Sequence, residues 1–284
     1  MTTSRRRLGA VGALLGLVLG VLAGCGSSPG PAAEPTPVPG ATPGGRLTIG
    51  IAFDEPGIGM KTGDTYAGFD VETATYVAKA LGVPPENITW KESTGAQREA
   101  MLTSGEVDLI FSTFTITDER KQTVDFAGPY FLAHQDLLVR RNETEITGPE
   151  TLNGKDLCTV AGTTSAENIL RFYQGRINLK EFPRYSDCVA ALAASEVDAV
   201  TTDDVILAGY AADPQYQGRL KVIGKGFSDE AYGVGIKKGN TALKDQVNAA
   251  LQQYVADGSW ARNLESTVAP SGYNIPGPPT PGAA

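Results

Sequence analysis

Histidine is almost missing from this chain. Among 284 residues there is one, His134, beside three cysteines, three methionines and two tryptophans. A Cys/His zinc centre and a Ser-His-Asp hydrolase both need more of these parts than are present, so His134 reads most simply as a structural residue. Positive charge is scarce too. Lys and Arg number 24 against 32 Asp and Glu, a formal charge of −8, so the general field of the protein repels nucleic acid and anionic lipid. An anion bound here must be held by a few local basic groups. Nothing calls for a metal or a cofactor. Long apolar runs are lacking as well: the best, within residues 8–24, is short and broken by glycine, a poor membrane-spanning helix.

What is present at the start is MTTSRRRLGAVGALLGLVLGVLAGC, three arginines, an apolar run and small residues before a cysteine. That is the grammar of an export signal. Its ending, Leu22-Ala23-Gly24-Cys25, resembles the lipobox of bacterial lipoproteins, which implies removal of residues 1–24 and lipid, palmitate included, on Cys25. Losing the three arginines takes the formal charge from −8 to −11. Cys158 and Cys188 then remain in a chain exported to an oxidising compartment, and a disulfide between them is expected. Closing a loop of about thirty residues contributes roughly 3 to 4 kcal/mol in the chain-entropy account. Ser27 to Gly45 reads SSPGPAAEPTPVPGATPGG, which cannot bury a core; residues 25–45 are expected to form an extended membrane tether. The tail, 270–284, has the same composition and is expected to be disordered.

Between these ends the pattern alternates. LTIGIAF (47–53) reads as a strand, Asp70 to Leu81 carries apolar residues at helical spacing, ITW (88–90) is strand-like, Gln97 to Ser104 helical, and Val107 to Phe111 an apolar strand. DLCTV (156–160), a helix from about Ser165 to Tyr173, another from Asp187 to Ala194, and VDAV (197–200) repeat the grammar, before a long helix over Thr241 to Asp257. Such βαβ series imply mostly parallel sheets covered by helices, an α/β fold. Setting Glu106-Val107-Asp108 on Glu196-Val197-Asp198, an offset of 90, also aligns Ala100 with Ala190 and Leu102 with Leu192. Two lobes of similar design follow.

In open parallel sheets ligands sit beyond the carboxyl ends of strands, which points to Ser112, Thr113, Thr115 and Arg120 in the first lobe and Thr201, Thr202, Asp203 and Asp204 in the second. Arg120 follows Asp118 and Glu119 in the first turn of a helix, where the helix dipole disfavours a cation, so a nearby anion is expected. The plain alternative is a solvated arginine paired with Asp118 or Glu119. A guanidinium on one lobe and a carboxylate on the other suit a small molecule carrying both charges, and an α-amino acid is that molecule. Arg120 would hold its carboxylate and Asp203 its ammonium. AGTTSAEN (161–168), capped by Thr164 or Ser165, adds backbone N–H donors at a helix start.

GFDVETATYVAKALG (68–82), DLIFSTFTITDERKQTVDFAGPYF (108–131), VAGTTS (160–165) and EVDAVTTDD (196–204) together resemble the bacterial extracellular solute-binding proteins that serve polar amino acid ABC importers, over essentially the whole folded body. The resemblance implies a periplasmic-binding-protein-like type II fold, two α/β lobes (46–133 with 231–269, and 134–230) joined by a two-strand hinge near Phe131 to Asp136 and Ser228 to Tyr232. It implies a monomer that hands an amino acid to permease subunits at the extracytoplasmic face of the cell membrane. By position, Arg120 matches the arginine for the α-carboxylate, Thr115 a shared hydroxyl, Thr113 a backbone partner, Thr163 and Thr164 the helix start, and Asp203 the ammonium acceptor. FDEPGIGMKTGDTYAGFD (53–70) with the two cysteines is most similar to the glutamate-binding lipoproteins of high-GC Gram-positive bacteria. Arg98, 22 positions before Arg120, then matches a side-chain carboxylate contact, and Lys61 is a second candidate. Glutamate, then aspartate, is the expected ligand, with glutamine and asparagine as alternatives; Val160 and Thr202 depart from the basic residue and histidine of glutamine binders. Two rival roles stand beside import: an amino acid sensor signalling to a membrane partner, and a dehydratase-like enzyme using Asp203 and Asp204, although adjacent residues on one strand do not face each other.

Overall fold

The computed structural model of the protein describes residues 34–40, 44–173 and 176–283. The leader and Cys25 lie outside the described residues. Among the described residues no helix is long and apolar enough to cross a membrane.

The first half of the chain runs β1 (Leu47–Ile51), a three-stranded meander β2 (Asp54–Glu55), β3 (Gly59–Thr62) and β4 (Thr65–Ala67), then α1 (Phe69–Ala80), β5 (Ile88–Glu92), α2 (Arg98–Ser104), β6 (Leu109–Ile110), α3 (Arg120–Thr123) and β7 (Val124–Ala133). The second continues with β8 (Gln135–Arg140), β9 (Asp156–Val160), α4 (Thr164–Phe172), β10 (Asn178–Phe182), α5 (Tyr185–Ala193), β11 (Ala199–Asp203), α6 (Asp204–Ala212) and β12 (Leu220–Val222). β13 (Glu230–Lys237), α7 (Thr241–Ala256) and α8 (Ser259–Thr267) complete the chain.

Two five-stranded sheets result, ordered β5-β1-β6-β13-β7 and β10-β9-β11-β8-β12. In each, four strands run one way and one runs against them, β13 in the first sheet and β8 in the second, so that the βαβ strands pair in parallel and the other pairings are antiparallel. The mostly parallel sheets read from the sequence are therefore mixed ones. The reason is the crossing between lobes: β7 leaves the first sheet and becomes β8 of the second after the single residue His134, and β13 returns beside β7.

The 90-residue repeat has a structural counterpart in its aspartates. Asp108 accepts the Thr48 N–H at 2.8 Å while its own N–H goes to the Thr48 carbonyl; Asp198 treats Asp156 the same way, at 2.9 and 2.8 Å. Each clamps the start of the lobe's first parallel strand. The turn before each is left-handed, at Gly105 (φ 78°) and Ser195 (φ 64°). Cys158 on β9 and Cys188 on α5 are joined, both fully buried, with Cα atoms 5.5 Å apart. The bond ties a central strand to the helix that covers it.

Both proline-rich ends depart from the sequence reading where they are described; residues 25–33 and 41–43 of the expected tether lie outside the described residues. In the stretch read as tether, Val38 is buried against α1, its N–H donating to the Ala80 carbonyl at 2.9 Å, and Gln246 of α7 donates to the Pro39 carbonyl. The tail, expected to be disordered, is docked: Tyr273 and Ile275 pack on the core, Pro279 and Pro281 are buried, and the Gly282 N–H donates to the Gly128 carbonyl at 2.8 Å. Proline restricts the unfolded chain as well as the folded one, so an extended segment with one good anchor loses little entropy on docking.

Candidate functional site

The site grows from the carboxyl end of β6. Beyond it Phe114 is buried, and two guanidinium groups lie over its ring, Arg120 at 4.9 Å and Arg98 at 5.3 Å from the centroid. Each residue is 4% exposed. An arginine tolerates such burial because its planar cation stacks on an aromatic face and spends its N–H groups on fixed acceptors. Arg120 Nη1 donates to the Thr115 carbonyl at 2.8 Å, and Nη2 crosses to the Gly162 carbonyl of the other lobe at 3.2 Å. The reading of Arg120 as a solvated partner of Asp118 or Glu119 does not hold: the side chain is buried, and among the described residues the carboxylate within 4.0 Å of it is Glu99. Burial and the neighbouring Arg98 lower its pKa to about 10, against the pull of Glu167, Glu99 and Glu230.

Thr113 adopts φ 45°, unusual for a residue with a β-branched side chain, and its N–H is held by Asp70 at 3.0 Å. The backbone group it can offer a ligand is therefore its carbonyl. Across the cleft, α4 starts at Thr164, and the cap is Thr163 rather than Thr164 or Ser165: its hydroxyl accepts the Ala166 N–H at 3.2 Å and donates to the Val160 carbonyl at 2.7 Å. The Thr164 hydroxyl donates to Glu230 at 2.8 Å. At the end of β11, Asp203 is 4% exposed; Oδ2 accepts the Tyr232 hydroxyl at 2.6 Å and Oδ1 has no partner. Burial and then Glu230 push its pKa well above the usual carboxylate range, opposed by the Tyr232 hydrogen bond.

The lobes meet closely around these groups. A Cβ on Gly95 would come 2.7 Å from the Ala161 carbonyl oxygen, and one on Gly162 would come 2.7 Å from the Ala96 Cα, so side chains at either place would hold the lobes apart. Arg184 pairs with Glu92 at 2.7 Å, and the Ser186 N–H at the start of α5 donates to Asp54 at 2.9 Å. This is a closed cleft.

The structure buries Arg98, Thr113, Thr115, Arg120, Thr163 and Asp203, with Thr164 half-buried, in the part of the molecule where the lobes meet. It leaves Lys61 outside. That ammonium is exposed on β3, 5.0 Å from the Phe53 ring centroid and 5.5 Å from that of Tyr66. Sequence reasoning missed Glu55, Phe114, Glu230 and Tyr232. Glu55 had a usable signal, since it follows β1 just as Arg120 follows β6; Glu230 and Tyr232 had none, because they reach the cleft by the return crossing. His134 donates from Nδ1 to the Ser228 carbonyl, 2.8 Å away, at the crossing between the lobes. Asp204 turns away from Asp203, accepting from the backbone of His134 and Val205 and from the Tyr273 hydroxyl. It lines a cavity of about 520 Å³ with Asp136 and Tyr273 that shares no residue with the cleft. The two aspartates do not form a catalytic pair.

Two mixed α/β sheets, joined by the crossing strands, thus meet over buried charged groups from both lobes. The family model for bacterial extracellular solute-binding proteins, family 3, matches residues 47–267, and the chain belongs to that family. It is 41% identical over 231 residues to the glutamate-binding protein GluB of Corynebacterium glutamicum, covering 78% of this chain and 77% of that one. It is 36% identical over 218 residues to the ABC transporter glutamine-binding protein GlnH of Bacillus subtilis, covering 76% and 78%. Among solved structures, an ancestral arginine-binding protein bound to glutamine superposes with a TM-score of 0.72 at 32% identity, over 78% of this chain and 97% of that one.

Proposed function

We propose that the protein is a lipid-anchored extracytoplasmic receptor that captures an acidic amino acid, glutamate before aspartate, by closing its lobes, and delivers it to an ABC importer. The observation that carries this reading is that a guanidinium, Arg120, and a carboxylate, Asp203, are both buried, one in each lobe, with Arg98 on the same aromatic ring as Arg120. Two cations and one acceptor match the three charges of glutamate: α-carboxylate on Arg120, ammonium on the unpartnered Asp203 Oδ1, side-chain carboxylate on Arg98. The likeness to GluB supports the same choice. The ligand then favours the closed form by touching both lobes, through its differential affinity for that form.

Calorimetric titration with glutamate, aspartate, glutamine and asparagine tests the ligand class. Glutamate is expected to bind tightest, with X-ray scattering showing compaction, and binding of none of the four overturns the reading. The anchor is tested separately: Cys25→Ala should release the protein into the medium, and a variant that stays on the membrane refutes the lipid.

A further inference from the structure

Glu55 has no role in the account above, yet it is built into the same cleft. It ends β2, is 2% exposed, and its Oε2 is buried without a partner. Arg98, lining the same cavity, likewise keeps a buried Nε without a partner. A carboxylate and a guanidinium walled into one space ordinarily close on each other in a bidentate pair. Here each leaves an atom over, and Ser93 Oγ beside them is also unpartnered.

We propose that Glu55 and Arg98 form a side-chain pocket that accepts either a carboxylate or a carboxamide, so that Glu55 sets the choice between glutamate and glutamine. The inference rests on the amino-acid-binding reading and deepens it. With glutamate, Arg98 pairs the ligand carboxylate and Glu55, carrying a proton, donates its O–H to the second ligand oxygen. With glutamine, Arg98 donates to the amide oxygen and ionised Glu55 accepts from the amide N–H. Each arrangement leaves the pocket neutral. An ionised Glu55 facing a glutamate carboxylate with Arg98 alone between them leaves one negative charge uncompensated in a buried space, which is costly. Glutamate binding therefore brings in a proton from solution, and glutamine binding does not.

The surroundings favour the proton-bearing form. Burial raises the Glu55 pKa well above the usual carboxylate range, Asp54 adds to this, Arg98 opposes it, and Asp70 and Asp203 add again. The Glu55 charge also acts on Tyr130, Tyr185, Tyr210 and Tyr232 on four other elements, of which Tyr130, Tyr210 and Tyr232 donate their hydroxyls to Asp70, the Asp54 carbonyl and Asp203, and at the rim Arg184 is occupied by Glu92. Val160, Pro183 and Tyr185 of the second lobe supply part of the cover. Parting the lobes returns Glu55 to water and to ionisation at neutral pH, so proton uptake accompanies closure over glutamate, whereas closure over glutamine keeps the carboxylate ionised between Arg98 and the amide N–H.

The test is calorimetry of the mature protein with L-glutamate and L-glutamine between about pH 5.5 and pH 8, each in buffers of different ionisation enthalpy. Glutamate should take up close to one proton and weaken by up to about tenfold per pH unit as pH rises, whereas glutamine affinity should stay flat. Glu55→Gln should still bind both ligands but lose the glutamate proton uptake and its pH slope; Glu55→Ala serves as a second variant, with circular dichroism confirming the fold of each. A flat glutamate profile in the wild type, or a slope that survives both substitutions, overturns the role of Glu55 while leaving the binding function intact. Binding of neither ligand overturns both.

Discussion

The Tyr232 hydroxyl donates to Asp203 Oδ2 at 2.6 Å, and through that bond a strand of the first sheet aims the acid of the second lobe into the cleft. Oδ1 is left for an ammonium. Tyr232→Phe keeps the ring packing and deletes only this bond, so amino acid affinity should fall about 5- to 30-fold. Asp203→Asn removes the charge and should cost about 30-fold to several thousand-fold. Calorimetry on both variants checks the order, and an Asn variant that binds like wild type would remove Asp203 from the site.

The two arginines over Phe114 should separate by ligand. Arg120→Ala is expected to weaken every amino acid the protein binds, by about 2 to 5 kcal/mol. Arg98→Ala should hurt glutamate far more than glutamine. Lys61→Ala should change little, because its ammonium rests on Phe53 and Tyr66 outside the cleft. An unchanged ratio of glutamate to glutamine affinity in Arg98→Ala counts against the acidic pocket.

Asp70 lies wholly buried under the cleft floor, accepting from the Tyr130 hydroxyl at 2.7 Å and the Thr113 N–H at 3.0 Å. Burial nonetheless raises its pKa to about 6. An acid whose folded pKa exceeds its unfolded one is protonated more readily in the native state, so its contribution favours folding below the unfolded pKa. That contribution is lost as pH climbs from about 4 to about 6, by up to about 3 kcal/mol. Denaturant unfolding across this window should show wild-type stability falling relative to Asp70→Asn, whose own curve should be flatter there. Parallel curves would show that Asp70 does not titrate on unfolding.

The docked tail should act on the hinge. Tyr273 stacks its ring 6.4 Å from that of Phe131 in the first lobe and donates its hydroxyl to Asp204 of the second at 3.0 Å. Parting the lobes must stretch or break that bond. Tyr273→Phe should weaken ligand binding by about 5-fold and a chain ending at Gly272 by more, with a larger radius of gyration in the absence of ligand. Scattering profiles identical to wild type would leave the tail a passive cover.

The sequence by itself determined the parts whose burial is one-sided and local. Helical spacing from Val71 to Leu81 is α1, DLCTV is β9, and the 90-residue offset put Asp108 and Asp198 in matching clamps because both copies close the same turn onto the same kind of strand. The rule that ligands gather beyond strand ends pointed to Arg120 and Asp203, residues 83 apart, and both are buried. Where burial has no side, the pattern is silent: Val205 to Tyr210 of α6 are buried all round and carry no period. Only the tertiary structure decided the rest. β7 and β13 pair across a hundred residues, carrying Tyr232 and Glu230 to a cleft their neighbours in sequence do not touch. The tail docks because Phe131 and Asp204, brought together by the hinge, accept one tyrosine. Glu55 looks like any loop acid until two lobes close over it, and its chemistry comes from that enclosure, since taking water away from a carboxylate changes what it binds.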